Sequence, residues 1–437
     1  MSKIPRGRWS QYQTLQANEN INSYLLKTDL FMEDSFLKNL QHHLTIRPCF
    51  GREEIRVSKI AGREDQFKVI DVFGRTESTL SGKKEVYHHL NDLCKTDQFY
   101  ILQDTDLLRT KDAPIFELLV TVHRDLRFIW QVTDIIEKNG LTNRRQMKSI
   151  LKMVNDAAIE AALCLVGDEA DCSTIIIEFG LLLDKLWIQD IELHFSKSKW
   201  SQYQLLSFND DLSRFLPHTQ LATPNTFFSF IKKYRQVMLK PCNGQWGIGV
   251  IKVSLKKGGI FEVHSERKKV ELKGQQEITD YLQTHYFSKD RYIIQNRIKL
   301  GTIDDCIFDA RVMVQREDSN STWEITAKVA KIATKDFIVT NVAKSILLLE
   351  EALGNSSNNK RKIKKLLSKI DRICKIGALY LGDYYQDVTC IGMDIGIDHR
   401  GRIWIFETNL VPDITLFKRL QDRSIYEKII TMRRKKG

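Results

Sequence analysis

The 437-residue chain has no run of about 18 apolar residues, so a helical membrane span is not expected. Its first residues, Met1 to Gln13, have no apolar core and do not read as a signal peptide. The eight cysteines form no CxxC pair, which favours buried, reduced thiols of a cytosolic protein over a zinc site. No GxxxxGK[ST] segment is present, which excludes a P-loop. No long Pro- or Ser-rich linker interrupts the chain. A net charge of +12 favours polyanionic partners, but the aromatic-basic interleaving of an RNA-binding module is missing. Much of the charge sits in a run over 360–365 and a tail over 433–436. The first carries apolar residues at helical spacing and reads as a solvated helix face, the second as a loose terminus.

What is present is a repeat. Trp9-Ser10-Gln11-Tyr12-Gln13 returns as Trp200-Ser201-Gln202-Tyr203-Gln204, 191 residues later. Arg47-Pro48-Cys49 answers Lys240-Pro241-Cys242, Ile115-Phe116-Glu117 answers Ile307-Phe308-Asp309, and Trp130-Gln131-Val132-Thr133 answers Trp323-Glu324-Ile325-Thr326. These offsets stay between 191 and 193, far too long for a solenoid, so one domain duplicated in tandem is expected, over 1–196 and 197–437. Each half is long enough to bury its own core. With 42% hydrophobic and 28% charged residues the chain is of folded, globular type.

In the second half, periodicity predicts strands over 236–240, 248–253, 292–295, 308–315, 323–331 and 403–406. It predicts helices over 277–286 and 363–381, and a surface loop over 354–360. Strands with a few long helices and no strict βαβ alternation indicate an α+β fold on largely antiparallel sheet.

Three groups of residues carry possible chemistry. Lys240 ends a strand that turns through Gly244, Gln245, Gly247 and Gly249. Glycines let backbone N–H groups wrap phosphate oxygens, and a lysine adds a point charge. A tight hairpin with a snorkelling lysine explains the same residues. Asp309 and Arg311 share one strand face, followed by Lys331 and Asn341; a surface ion pair is the plain alternative. Asp394, Glu407 and Asn409 flank a turn at His399-Arg400-Gly401. Two carboxylates and an amide oxygen are hard ligands suited to Mg²⁺, though an ordinary charged hairpin has the same pattern.

In this order the three groups resemble the ATP-grasp superfamily. Over nearly all of 197–437, from the opening Lys199-Trp200-Ser201-Gln202-Tyr203-Gln204 through Leu216-Pro217-His218-Thr219, the chain looks most like the YheC/YheD family, described as endospore coat-associated. The resemblance implies two tandem ATP-grasp-like domains, the second with the complete nucleotide-binding set. It implies ATP and Mg²⁺ as cofactors and a carboxylate–amine ligase working through an acyl-phosphate. Peptide or amino-acid-like substrates, or a spore coat component, are the implied partners, in the cytoplasm or associated with the spore. By motif position Lys240 and the Gly244–Gly249 loop, Gln245 and Gly247 included, would hold the phosphates. Gln295, Asn296 and Ile298 would touch adenine. Arg311, Lys331 and Asn341 would handle the transferring phosphoryl group, and Asp394, Glu407 and Asn409 the Mg²⁺. The family usually has arginine at the Lys331 position and glycines soon after Asn341, where this chain has Val342-Ala343-Lys344.

The first half departs further. Arg47 stands for Lys240, and Gly51-Arg52-Glu53-Glu54-Ile55-Arg56 for the glycine loop. Leu119 stands for Arg311, and Glu178, Asp190 and Glu192 for the metal set. This copy is expected to bind no ATP. A non-catalytic nucleotide-binding or coat-associated protein remains the competing reading of the whole, and a nucleic-acid binder the third.

Overall fold

The structure, a computed structural model, describes residues 5–434 apart from 41–42, 52, 64, 73, 95–97, 106–115, 126–128, 139–143, 168–170, 183–184, 245–246, 266–267, 304, 319–320, 335–342 and 357–358. The chain divides into two compact units, Met1–Phe195 and Ser196–Gly437. The first carries β1 (Thr28–Leu30), β2 (Leu44–Pro48), β3 (Ile55–Lys59), β4 (Gln66–Asp71) and β5 (Thr76–Ser81). Then come β6 (Tyr100–Asp104), β7 (Phe116–Arg124), β8 (Trp130–Glu137), β9 (Cys172–Leu182) and β10 (Lys185–Phe195). The second carries β11 (Thr219–Leu221), β12 (Gln236–Pro241), β13 (Ile251–Leu255), β14 (Ile260–Ser265), β15 (Lys268–Lys273) and β16 (Tyr292–Asn296). It continues with β17 (Thr302–Ile303), β18 (Cys306–Gln315), β19 (Glu324–Ala333), β20 (Ala343–Leu348), β21 (Cys390–Ile397) and β22 (Ile403–Asn409).

Each unit holds two sheets, and the strand orders correspond. The first unit has β1-β6-β2-β3-β4-β5 and β10-β9-β7-β8. The second has β11-β16-β12-β13-β14-β15 and β22-β21-β18-β19-β20, with β17 paired to β18. Every pairing among these strands is antiparallel, so the mixed α+β class expected from the sequence is the class observed.

Local chemistry accounts for the elements that frame the second unit's site. Helix Pro224–Tyr234 starts where the Thr223 hydroxyl accepts from Thr226 N–H, has proline at its first position, and stops at Arg235 in the left-handed region. It lays Phe227, Phe230 and Ile231 on Val237 and Leu239 of β12 and on Ile251 and Val253 of β13. Burial of each such side chain stabilises the unit by about 1.5–3 kcal/mol. Alternation along β12 then turns Met238 and Lys240 away from that core. In helix Lys360–Tyr384 the stripe Ile363, Leu367, Ile370, Ile373 and Leu381 is buried. Lys360, Arg361, Lys362, Lys364 and Lys365 are exposed, the solvated face read from the sequence.

Three of the departures from the periodic reading concern the edges of the site and its neighbours. β13 begins at Ile251 rather than 248, because Gly247 and Gly249 have φ of +74° and +77° and keep the chain turning. Helix Leu349–Ser356 takes the start of the expected loop, since Leu349, Ala352 and Leu353 bury one face. The helix from Gln275 ends at Leu282 and widens into a π turn over Gln283–Phe287. Among the described residues no helix is long and apolar enough to cross a membrane.

Candidate functional site

β12 ends at an open cleft of about 940 Å³, solvent at the mouth included. Lys240, Gly244, Gly247, Gln295, Asn296, Ile298, Asp394 and Glu407 of the sequence-derived set all line it. Gln245 and Asn341 lie outside the described residues. Gly249 completes the turn that walls the cleft: a Cβ there would stand 3.0 Å from the Tyr292 hydroxyl, at a φ that side chains rarely adopt.

Lys240 Nζ donates to the Phe406 carbonyl at 3.4 Å and stands 5.8 Å from the Phe406 ring centroid. A β-bulge makes this possible. β21 pairs Asp394 with Glu407 but Ile395 with Ile405, so Phe406 is the extra residue and is aimed into the cleft. Burial lowers the Lys240 pKa, Glu407 being the strongest influence in the other direction. Met238, Val250, Asn296, Ile298 and Leu300 also line the cleft. There the Asn296 Oδ1 is buried without a hydrogen-bond partner among the described residues.

Register sets the acidic wall. β18 pairs Asp309 with Lys331 of β19 and Arg311 with Asp394 of β21, and β21 pairs Asp394 with Glu407 and Gly392 with Asn409. Arg311 donates to both Asp394 oxygens, Nε to Oδ1 at 2.7 Å and Nη2 to Oδ2 at 3.0 Å. Lys331 Nζ donates to Asp394 Oδ1 at 3.1 Å and sits 3.3 Å from Asp309 Oδ1. Burial acts to raise the Asp394 pKa, but Arg311 and Lys331 override it and hold the carboxyl far below the usual range. Burial likewise acts against the charges of Arg311 and Lys331, and the facing carboxylates raise both pKa values. Neither cation is among the cleft-lining residues; both stand behind Asp394. Gly392 leaves room for this, because a Cβ there would lie 3.3 Å from Arg311 Cδ.

Asp394, Glu407 and Asn409 are chemically suited to a hard cation, but cations of the protein already engage the two carboxylates. Both oxygens of Asp394 accept charge-assisted hydrogen bonds, and Glu407 Oε1 lies 3.1 Å from Lys199 Nζ. Among the described residues no group of three or more His, Cys, Asp or Glu side chains is placed to hold a metal ion. In this arrangement a divalent ion on Asp394 would have to displace Arg311 and Lys331.

Lys199, Arg297 and Phe406 are cleft residues that the sequence motifs did not assign, and Lys199 ties the site together. Its Nζ also donates to the Gly244 carbonyl, tying the glycine turn to Glu407. The signal was present: Lys199 opens the repeated block, and the position 191 residues earlier, Arg8, is also cationic.

The first unit holds the same skeleton closed. Arg8 donates to the Gly51 and Pro48 carbonyls and to both oxygens of Asp190. Arg47 donates to the Gln189 carbonyl at 3.1 Å, and Gln189 is the extra residue of a bulge between Ile188 and Asp190. Here Arg47 also forms a 2.6 Å ion pair with Glu54. Glu54 precedes Ile55, which pairs with Ile46; in the second unit Val250 precedes Ile251, which pairs with Leu239. A cleft-wall valine in one unit is thus a counter-ion in the other.

Comparison with known proteins decides the family. The model of the YheC/D-like ATP-grasp family matches residues 3–154 and 192–434. The chain belongs to the YheC/D-like ATP-grasp family. The endospore coat-associated protein YheD of Bacillus subtilis (strain 168) is 27% identical over 229 residues, 50% of this chain and 49% of that protein. The endospore coat-associated protein YheC of the same organism is 22% identical over 216 residues, 49% of this chain and 59% of that protein. The match spans about half the length of these curated relatives. Among solved structures, ATP-grasp ligase PsnB complexed with a minimal precursor gives a TM-score of 0.33 at 15% identity, covering 54% of this chain and 60% of that one. N5-carboxyaminoimidazole ribonucleotide synthetase from Thermotoga maritima gives 0.31 at 12%, covering 54% and 48%. The family assignment stands on the sequence match.

Proposed function

We propose that this YheC/D-like protein binds ATP in the cleft of the second unit and uses it to join a carboxylate to an amine. The observation that carries the reading is Lys240. It ends a strand beside a glycine turn, and no carboxylate stands within ion-pair distance of its Nζ among the described residues. A partly buried ammonium without an ion-pair partner is a phosphate site in waiting. Its counterpart Arg47 already has its anion in Glu54, so we propose that the first unit is a degenerate copy, arisen by duplication, that binds no nucleotide.

In this reading the adenine lies against Met238, Asn296 and Ile298, and the buried Asn296 side chain meets the base edge. Lys240 and Lys199 meet the phosphates, with the turn closing over them. A substrate carboxylate oxygen attacks the γ-phosphorus and ADP leaves. An amine then attacks the acyl carbon, phosphate leaves, and the amine gives up a proton. Holding and charge neutralisation are what such a transfer needs most. No step is assigned to a metal on Asp394, since that carboxylate is occupied by Arg311 and Lys331.

The placement of Arg311 and Lys331 favours a second reading. Both cations expected at the transferring phosphoryl group are committed to Asp394, which suits a protein that binds nucleotide without turnover. The names of YheD and YheC support association with the spore, in either reading. ADP release, screened against amino acids and short peptides as acceptors, separates the two. Turnover lost in Lys240→Met supports the ligase. ATP-induced thermal stabilisation without ADP release under any condition supports the binder.

A further inference from the structure

The two units contain an internal control for the role of Lys331. Strand register makes Lys331 equivalent to Lys138: Arg311 pairs with Val329 and Asp309 with Lys331, while Leu119 pairs with Ile136 and Lys138 N–H donates to the Glu117 carbonyl. The same register makes Asp394 equivalent to Glu178, each facing the β18 or β7 position just named. Lys138 forms an ion pair with Glu178. The lysine–carboxylate contact therefore persists in the unit where Glu54 pairs with Arg47 and where Leu119 replaces the arginine. A contact kept where no phosphate is to be bound belongs to the sheet itself, not to ligand handling.

In the second unit that contact is deeper and doubled. Lys331 is 5% exposed and lies within 3.3 Å of carboxylate oxygens from two different strands, Asp309 and Asp394. Its place in the sheet is set by the register of β18, β19 and β21. Around Asp394 stand Lys199, Lys240, Arg311 and Lys331 against Asp309, Asp394 and Glu407, so the wall is net cationic before any ion arrives.

We infer that Lys331 is the resident counter-cation of Asp394, replacing a divalent ion there, so that nucleotide binding in this cleft does not require a metal held by Asp394. This rests on the nucleotide-binding reading proposed above. It makes Lys331 a positioning residue for the wall, acting through Asp394, and leaves Lys240 as the cation offered to phosphate.

The test is the affinity of the full chain for a fluorescent ATP analogue, measured in EDTA and in Mg²⁺, for wild type, Lys331→Met and Asp394→Asn. Wild-type affinities that agree within about threefold in the two buffers support the inference. Lys331→Met should lose about tenfold or more in EDTA and recover in Mg²⁺, because an emptied cation position beside two carboxylates then takes the ion. If wild-type binding collapses on chelation and Asp394→Asn removes that metal dependence, Asp394 is a metal ligand and the inference is overturned. If Lys331→Met does not fold, the wild-type pair of buffers and Asp394→Asn decide the matter. Binding in neither buffer overturns the nucleotide reading itself, a result distinct from binding that needs the metal.

Discussion

Lys199 Nζ lies 3.1 Å from Glu407 Oε1, and 191 residues earlier Arg8 grips both oxygens of Asp190 at 2.9 and 2.6 Å. One cation at the start of a helix thus ties a turn carbonyl to a strand carboxylate in each unit. The arginine holds its carboxylate through two nitrogens and the lysine through one, so the carboxylate contact is stronger in the first unit. Arg8→Met should lower the stability of the first unit by about 2–3 kcal/mol, since it strands a buried carboxylate. It should leave nucleotide affinity unchanged. Lys199→Met should do the reverse, with a smaller loss of stability and weaker nucleotide binding. Thermal melts and nucleotide titrations on the two variants check both halves of this exchange.

Lys240→Met removes the cation that offers its charge most directly to phosphate in the cleft. Nucleotide affinity should fall by about 100-fold, on the scale of a charge-assisted contact made in a partly desolvated site. Burial already lowers the Lys240 pKa, so its charge is a cost to the empty protein. The variant should therefore melt at or above the wild-type temperature. A clear drop in melting temperature would show that Lys240 holds the fold rather than a ligand.

Asp394→Asn should destabilise the second unit by about 3 kcal/mol at neutral pH, because Arg311 and Lys331 lose their shared carboxylate. The folded-state pKa of Asp394 is depressed, so its stabilisation is fully present above the unfolded value, near pH 4, and is lost as pH falls through the folded value. The gap in melting temperature between wild type and variant should be constant from pH 5 to neutrality and should narrow only below about pH 4. A gap that closes already between pH 6 and pH 5 would contradict the depressed pKa.

What the sequence showed and what it hid follow from range. The repeat was legible because Trp9 and Trp200 each stack on a tyrosine three residues on, at 5.7 Å in both units, and such local packing keeps its residues. The glycine turn and the Asp394–Glu407 hairpin were legible because turns and two-strand pairing are set by neighbours in the chain. The bulge that aims Phe406 left no mark, since one extra residue in a strand has no composition of its own. The turning of Arg311 and Lys331 onto Asp394 needed the register of β18 and β19 with β21, which the long helix Lys360–Tyr384 separates from them in the chain, and no spacing encodes it. Lys199 was hidden for a different reason: a lysine before a helix reads as surface until the Gly244 carbonyl is seen beside it.

Gly249→Ala tests the turn itself. The residue has φ +77°, a region that costs an L-residue about 1–2 kcal/mol. The new Cβ would also press on the Tyr292 hydroxyl at 3.0 Å and on Pro241 Cγ at 3.4 Å. Gly258 is the matched control, because its φ is +75° and nothing lies within 4 Å of a Cβ placed there. Both alanine variants should lower the melting temperature of the second unit by about 2–6 °C through the shared backbone cost. Only Gly249→Ala should also weaken nucleotide binding, by about tenfold, because the strained turn must shift the N–H groups that close over the phosphates. Equal losses of affinity in the two variants would mean that the glycine turn serves the hairpin and not the ligand.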